Sequence, residues 1–380
     1  VRCIRQLGVE IEELNGITRV KGQGIMGIQE PEDVVDCGNS GTTMRLLSGV
    51  VASRPFQTVL TGDESLRRRP MERIIEPLMM MGAGITGRQN SKLAPLLVRG
   101  GGLHGIEYRL PVASAQVKSA IILAALASEG ETIIHEPVPS RDHTERMLRA
   151  MGANLSIEQS LIRINKSGDL HPLDIVVPGD ISSAAFWMVA GIIVPGSEIM
   201  LRDVGLNPTR SGIIDILIKM GANIEIENLH MIGEEPVGNI IVRHSELHPV
   251  KVEGQVIPRL IDEIPVLAVA MAAANGVSEV RDAGDLRVKE SYRIAMIVSS
   301  LTHLGVEAES LDDGFVINGN GSIPGGSIPV DSGGDHRIAM FLAVAGLISR
   351  VPITIEGFEC VGISYPSFRK DMDKLLKQPV

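Results

Sequence analysis

LGVEI (7–11), MGAGI (81–85), MGANL (151–155), MGANI (220–224) and LGVEA (304–308) are one phrase written five times: the end of a helix, a Met/Leu-Gly-Ala/Val stop, and the start of a short strand. Between the copies lie helices of a second, far more apolar kind: GTTMRLLSGVVA (41–52), AQVKSAIILAALA (115–127), ISSAAFWMVAGII (181–193), DEIPVLAVAMAAA (262–274) and DHRIAMFLAVAGL (335–347). Each repeat therefore carries two helices, one wholly buried and one half-exposed. A single repeat of this kind cannot bury its own apolar face and must stack on its neighbours, so function is expected where several repeats converge.

Outward from that phrase, the β-branched runs TVLTG (58–62), ETIIHE (131–136), SEIMLRDV (197–204) and VSEVRDA (277–283) follow the apolar helices and precede turns rich in Gly, Asp and Pro. The repeat reads as βαβαβ-like, an α/β fold with parallel strand pairs and helices packed inside or against the sheets. Six exposed-type helices end near Leu7, Gly82, Gly152, Gly221, Gly305 and Leu376, against five apolar ones. Six repeats divide as three plus three, which predicts one domain over 1–177 and a second over 178–380. A chain of 380 residues exceeds what one hydrophobic core usually supports, which agrees with that division. The first repeat reads as incomplete: its apolar helix would begin roughly 30 residues before Val1, so N-terminal truncation is expected.

The chain is 44% hydrophobic but only 3% aromatic, so the core must be closed by Leu, Ile, Val, Met and Ala. The apolar helices run about a dozen residues, short of the roughly 20 that span a membrane. Cys3, Cys37 and Cys360 are odd in number and lack metal spacing, which predicts a reducing, cytoplasmic setting. Cys37 reads as a small buried hydrophobe rather than a nucleophile. A formal charge of −10 disfavours nucleic acid and anionic membranes as partners. His143 and His336 join no metal-ligand set, and no phosphate-binding glycine motif follows a strand.

Chemistry is expected at the first residues of the apolar helices: GNSGTTMR (38–45), SAQVK (114–118), GDISS (179–183), IDEIP (261–265) and GGDHR (333–337). Helix starts carry unpaired N–H groups and the positive end of the peptide dipoles, so several together suit an anionic ligand. Ordinary capping by Ser, Asn or Asp is the competing explanation at each. Arg45, Lys118 and Arg337 beside the starts favour anion binding, because capping needs no cation. Of Arg67, Arg68 and Arg69, Arg69 against Pro70 is the one expected to be held in place. In RVKESYR (287–293), Lys289 and Arg293 are spaced four apart, as on one helical face, with Glu290 beside them. Asp262 and Glu263 at the mouth of an apolar helix suit a general base better than they suit packing.

These motifs, with LTGD (60–63), RRRP (67–70), PSRDHTE (139–145), PGDISSAAF (178–186), NPTR (207–210) and SYPSF (364–368), resemble in order and spacing those of the 3-phosphoshikimate 1-carboxyvinyltransferase (EPSP synthase) family, in its second bacterial branch. The resemblance implies the two-domain enolpyruvyl transferase fold, an inside-out α/β barrel of six βαβαββ-type repeats with the first incomplete, and a cleft that closes on substrate. It implies transfer of the enolpyruvyl group of phosphoenolpyruvate to shikimate 3-phosphate, with no cofactor or metal, by a monomer with no nucleic-acid or membrane partner. By position in the motifs, Ser114, Ala115, Gln116, Ser140, Arg141, Asp262 and Lys289 match the shikimate 3-phosphate contacts. Gly41, Arg69, Gln116, Arg293 and Arg337 match the phosphoenolpyruvate contacts. Asp262 corresponds to the proton acceptor and Glu290 to the donor, with Lys289 beside them. A Lys-Ser-x-x-x-Arg cluster of the family belongs to the half repeat read as absent, so impaired activity is expected of this chain. Ile363 stands close to where one branch carries a substrate Lys. Gly41 leaves room for the inhibitor glyphosate, while Leu46, in place of a Pro of the other branch, leaves the sign of that sensitivity open. UDP-N-acetylglucosamine enolpyruvyl transferase shares the architecture but uses a Cys in the loop that here runs from Asp63 to Pro70 without one; a non-catalytic binding protein of the same fold is the other alternative.

Overall fold

The computed structural model describes residues 1–24, 27–326 and 328–377. The chain forms two compact units, Val1–Ile175 and Val176–Val380, a division two residues ahead of the one expected from the repeat. Among the described residues, no helix is long and apolar enough to cross a membrane.

One complete repeat of the N-terminal unit shows the plan. Strand Val35–Asp36 leads into the apolar helix Gly41–Ala52, and strand Gln57–Thr61 returns parallel to the first. The amphipathic helix Glu72–Met80 follows, and the strands Gly84–Gly87 and Leu93–Arg99 close the sheet as an antiparallel pair. In space the pair is reversed: Leu93–Arg99 lies beside Gln57–Thr61, and Gly84–Gly87 forms the edge. The same order recurs with Glu107–Arg109, Thr132–His135, Leu161–Ile164 and Leu155–Glu158, and again in the C-terminal unit with Lys251–Val252, Asn275–Val280, Phe315–Asn320 and Glu307–Ser310. The repeat is thus βαβαββ, one strand more than the βαβαβ read from residue pattern alone. The extra strand hides because the pair is short and its turn is tight: Leu155–Glu158 reverses through Gln159, at φ 54°, straight into Leu161–Ile164.

Helices that are apolar all round are core helices. In Ile264–Ala273 every residue from Ile264 to Ala272 is buried, and the helix packs on Ile181–Ile193 and His336–Ala345 inside the C-terminal unit. The closing SYPSF motif serves this core: the Phe368 ring stacks on Trp187 with centroids 4.8 Å apart, and Trp187 Nε1 donates to the Tyr365 hydroxyl at 2.9 Å. In the N-terminal unit Gly41–Ala52 packs on Ala115–Ala125, and glycine is required where they cross. A Cβ on Gly49 would sit 2.1 Å from the Ala120 carbonyl oxygen, backbone that cannot yield without moving its helix. Gly49→Ala is therefore expected to destabilise the protein by about 2 kcal/mol, read as a lower urea midpoint; an unchanged midpoint would show the crossing to be loose.

Candidate active site

Capping separates the five helix starts into two kinds. Ser40 Oγ accepts from Thr43 N at 3.1 Å, Asp180 Oδ2 from Ser183 N at 3.1 Å, and Asp335 Oδ1 from Arg337 N at 2.9 Å. These three side chains are engaged as caps. Ser114 and Glu263 make no such bond, so two starts lack a side-chain cap.

In the N-terminal unit, Gly41, Arg45, Arg69 and Gln116 come together. Arg69 is 8% exposed and donates to Asn39 Oδ1 at 3.0 Å and Ser65 Oγ at 3.3 Å, while its neighbour Arg68 lies exposed beside Glu64. Asn39 is itself fixed, with Nδ2 donating to Asp63 Oδ2 at 2.6 Å. Gln116 Nε2 donates to Thr42 Oγ1 at 2.8 Å, and Arg45 Nη1 donates to Gln116 Oε1. A Cβ on Gly41 would lie 3.1 Å from Arg45 Nη1 and 3.4 Å from Arg69 Nη1, so the absence of a side chain leaves two guanidinium groups converging on bare helix backbone.

Lys118 departs from its expected role. It is 1% exposed and ion-paired with Glu136 at 3.0 Å and Glu145 at 2.7 Å, so its charge is consumed inside the unit. The fourth position of the helix points into the core, and the cation survives there only because two carboxylates meet it. Ser140 is buried, its amide and hydroxyl both donating to Glu136 Oε1, and Arg141 beside it is half-buried. Burial, with Cys3 close by, pushes the Cys37 thiol up to about 12, which suits an inert core residue.

In the C-terminal unit, Asp262, Lys289, Glu290, Arg293 and Arg337 converge. Lys289 and Arg293 do not share a helical face: Lys289 has extended backbone, and the helix begins only at Arg293. The intervening segment is turned because the Ser291 hydroxyl donates to Asp335 Oδ2 at 2.9 Å and the Arg293 amide to the Ser291 carbonyl at 3.0 Å. The two cations meet at Asp262 even so: Lys289 Nζ lies 3.2 Å and Arg293 Nη1 3.5 Å from Asp262 Oδ1. Arg337 Nη1 donates to the Asp262 carbonyl at 2.9 Å.

Arg293 has no exposed surface. Its Nε donates to Asp335 Oδ2 at 2.8 Å and its Nη2 to Glu290, while Nη1 has no hydrogen-bond partner. Burial works against its charge, and Asp335, Glu290 and Asp262 outweigh that penalty. Burial likewise raises the Asp335 carboxyl, but Arg293 overcomes it and holds the group at about 2. The imidazole of His336 is pushed down by burial and then by Arg337, which favours its neutral form. A carboxylate flanked by ammonium and guanidinium is favoured in its charged, unprotonated form, the form from which a proton acceptor starts, and a buried N–H without a hydrogen-bond partner is suited to an anion.

Sequence reasoning left three supporting residues without roles. Asn39 holds Arg69, Asp335 holds Arg293, and Glu136 holds Ser140. Asn39 and Asp335 stood inside quoted motifs, GNSG and GGDHR, where capping was a sufficient explanation; Glu136 gave no signal beyond being acidic at a strand end.

Comparison with known proteins gives a consistent result. Residues 1–372 match the family profile of EPSP synthase (3-phosphoshikimate 1-carboxyvinyltransferase). A 3-phosphoshikimate 1-carboxyvinyltransferase of Syntrophomonas wolfei is 54% identical over 367 residues, 96% of this chain and 85% of that protein. The structure of EPSP synthase from Acinetobacter baumannii matches with a TM-score of 0.85 at 44% identity, covering 98% of this chain and 85% of that one. The enolpyruvyl transferase NikO from Streptomyces tendae matches with a TM-score of 0.75 at 17% identity over 98% and 85% of the two chains, a likeness of fold alone.

The Arg293–Asp335 pair makes stability depend on pH with a definite sign. The Asp335 carboxyl moves from 3.8 to about 2 on folding, so its contribution is complete above about pH 4 and lost as pH falls toward 2. Urea unfolding from pH 5 to pH 2 should show a loss of roughly 2 kcal/mol that Asp335→Asn abolishes, the variant being less stable at pH 7 by about 3 kcal/mol because Arg293 keeps a buried charge without its main partner. An unaltered pH profile in the variant would remove the pair from this account.

Proposed function

This chain belongs to the 3-phosphoshikimate 1-carboxyvinyltransferase (EPSP synthase) family, and from its site we propose how it carries out that family's reaction, transfer of the enolpyruvyl group of phosphoenolpyruvate to the 5-hydroxyl of shikimate 3-phosphate with release of phosphate. The observation that carries this reading is the family match over residues 1–372, joined to the convergence of Lys289, Arg293 and Arg337 on Asp262.

In this reading the Ser114 hydroxyl, the Ala115 backbone, Gln116, Ser140, Arg141 and Lys289 bind shikimate 3-phosphate. Ser114 is suited to it because its hydroxyl is not spent on a cap. Gly41, Arg69, Arg293 and Arg337 take phosphoenolpyruvate, the Nη1 of Arg293, which lies near Asp262 but makes no hydrogen bond, supplying a donor for its charged groups, and Gln116 touches both ligands. Guanidinium groups held in place offset charge without reorganising during the reaction.

Asp262 takes the proton of the attacking 5-hydroxyl of shikimate 3-phosphate, and the oxygen of that hydroxyl bonds to the enol carbon of phosphoenolpyruvate. Glu290 delivers a proton to the methylene carbon, which becomes a methyl group in the tetrahedral intermediate. Glu290, left as a carboxylate, takes back a methyl proton as the bond to phosphate breaks, which restores the double bond and gives the enol ether product. Two carboxyl groups of opposite protonation perform both halves. The loop from Asp63 to Pro70 contains no Cys, which weighs against the UDP-N-acetylglucosamine enolpyruvyl reaction.

Calorimetry with shikimate 3-phosphate and measurement of phosphate release from phosphoenolpyruvate, made on the chain extended N-terminally to carry the Lys-Ser-x-x-x-Arg segment, test the assignment; an extended protein that does neither rules it out. Asp262→Asn should lower kcat by about 10²- to 10⁴-fold, the usual worth of a positioned proton acceptor, and Glu290→Gln by a similar factor. A kcat retained in Asp262→Asn would move the base elsewhere.

A further inference from the structure

Lys118, Glu136 and Glu145 form a buried charged cluster to which the reaction as described gives no role. Their side chains are 1%, 8% and 1% exposed. They come from three elements: Lys118 from helix Ala115–Ala125, Glu136 from the end of strand Thr132–His135, and Glu145 from helix His143–Ala150. Lys118 Nζ lies 3.0 and 3.1 Å from the two oxygens of Glu136, 2.7 Å from Glu145 Oε1 and 3.4 Å from the Ser140 carbonyl oxygen. Glu136 Oε1 accepts from the Ser140 amide at 2.9 Å and from the Ser140 hydroxyl. Beside the cluster, Ser119 Oγ and Thr144 Oγ1 share a hydrogen bond of 2.7 Å.

Stability does not call for such a cluster, because apolar residues of similar volume fill a core without the cost of desolvating ions. The cluster does fix one geometry. Lys118 stands one turn beyond Ser114, whose carbonyl accepts from the Lys118 amide at 3.0 Å, and its side chain grips the carboxylate that grips Ser140. The Ser114–Gln116 helix start and the Ser140–Arg141 turn are thereby held at one spacing. Glu136 also keeps both Lys118 contacts and the Ser140 amide if the Ser140 hydroxyl turns away, so that hydroxyl can be handed to a ligand without orphaning a buried carboxylate.

We propose that Lys118, Glu136 and Glu145 are positioning residues for the phosphate of shikimate 3-phosphate, setting Ser140 and Arg141 in register with Ser114 and Gln116. This rests on the assignment of Ser114 and Ser140 to that phosphate. The test is the uncharged variant Lys118→Met/Glu136→Gln/Glu145→Gln, which removes the ions together and leaves no single charge stranded. It should unfold cooperatively near the wild-type midpoint while its Kd and KM for shikimate 3-phosphate rise about tenfold and KM for phosphoenolpyruvate stays within about twofold. Unchanged affinity in the uncharged variant, or equal losses for both substrates, overturns the proposal. If that variant does not fold, Glu136→Gln is measured in its place, Lys118 retaining Glu145, and a shikimate 3-phosphate affinity equal to wild type overturns it. A wild-type protein with no affinity for shikimate 3-phosphate instead overturns the underlying assignment, an outcome distinct from either.

Discussion

Helices buried on every side can offer chemistry only at their ends, and this constraint organises the molecule. From Ile264 to Ala272 no residue reaches the surface, so whatever that helix contributes to function is contributed by Asp262 and Glu263 at its mouth. The same holds for Gly41 and Gln116 in the N-terminal unit and for Asp335 and Arg337 in the C-terminal unit. Burial supplies the rigidity; the helix starts supply N–H groups and capping side chains already oriented.

Packing polar groups at those starts creates an electrostatic problem that each unit solves by cross-pairing between elements. In the C-terminal unit Arg293 is wholly buried and survives because Asp335, Glu290 and Asp262 surround it. In the N-terminal unit Lys118 is answered by Glu136 and Glu145. Both cations tie the start of one helix to a loop or strand end far away in sequence, and breaking one partner would leave a buried charge uncompensated. The groups proposed to meet substrate, Asp262, Glu290 and Ser140, are each a direct neighbour of one of these cations. Structural ion pairing and the positioning proposed for substrate-facing groups thus fall on the same atoms.

The repeat and its helices were legible because hydrophobicity is periodic and local. The helix Gly41–Ala52 begins and ends where its apolar run does, and Ile181–Ile193 likewise. The terminal strand pair was not, since Leu155–Glu158 and Leu161–Ile164 are four residues each and their turn carries no glycine or proline signal. Arg69 stands apart from its two neighbours in the sequence because Pro70 limits the backbone beside it, and in the fold it is buried and held by Asn39 and Ser65. Lys118 stands in a polar helix start, yet its side chain leaves the helix on the core side, which only its partners Glu136 and Glu145 on two other elements reveal. Lys289 and Arg293 were expected on one helical face from their spacing, whereas the bonds of Ser291 to Asp335 and of Arg293 to Ser291 start the helix four residues later.

Sequence by itself determined the family, the repeat, the identity of the buried helices and the residue types gathered at their starts, because these depend on composition and period along one chain. Tertiary structure alone decided which starts are capped, which cations are consumed by buried carboxylates, and which donors remain for a ligand. Those outcomes depend on contacts such as Arg293 with Asp335 or Lys118 with Glu145, tens of residues apart, whose energy arises only when folding removes water from between them.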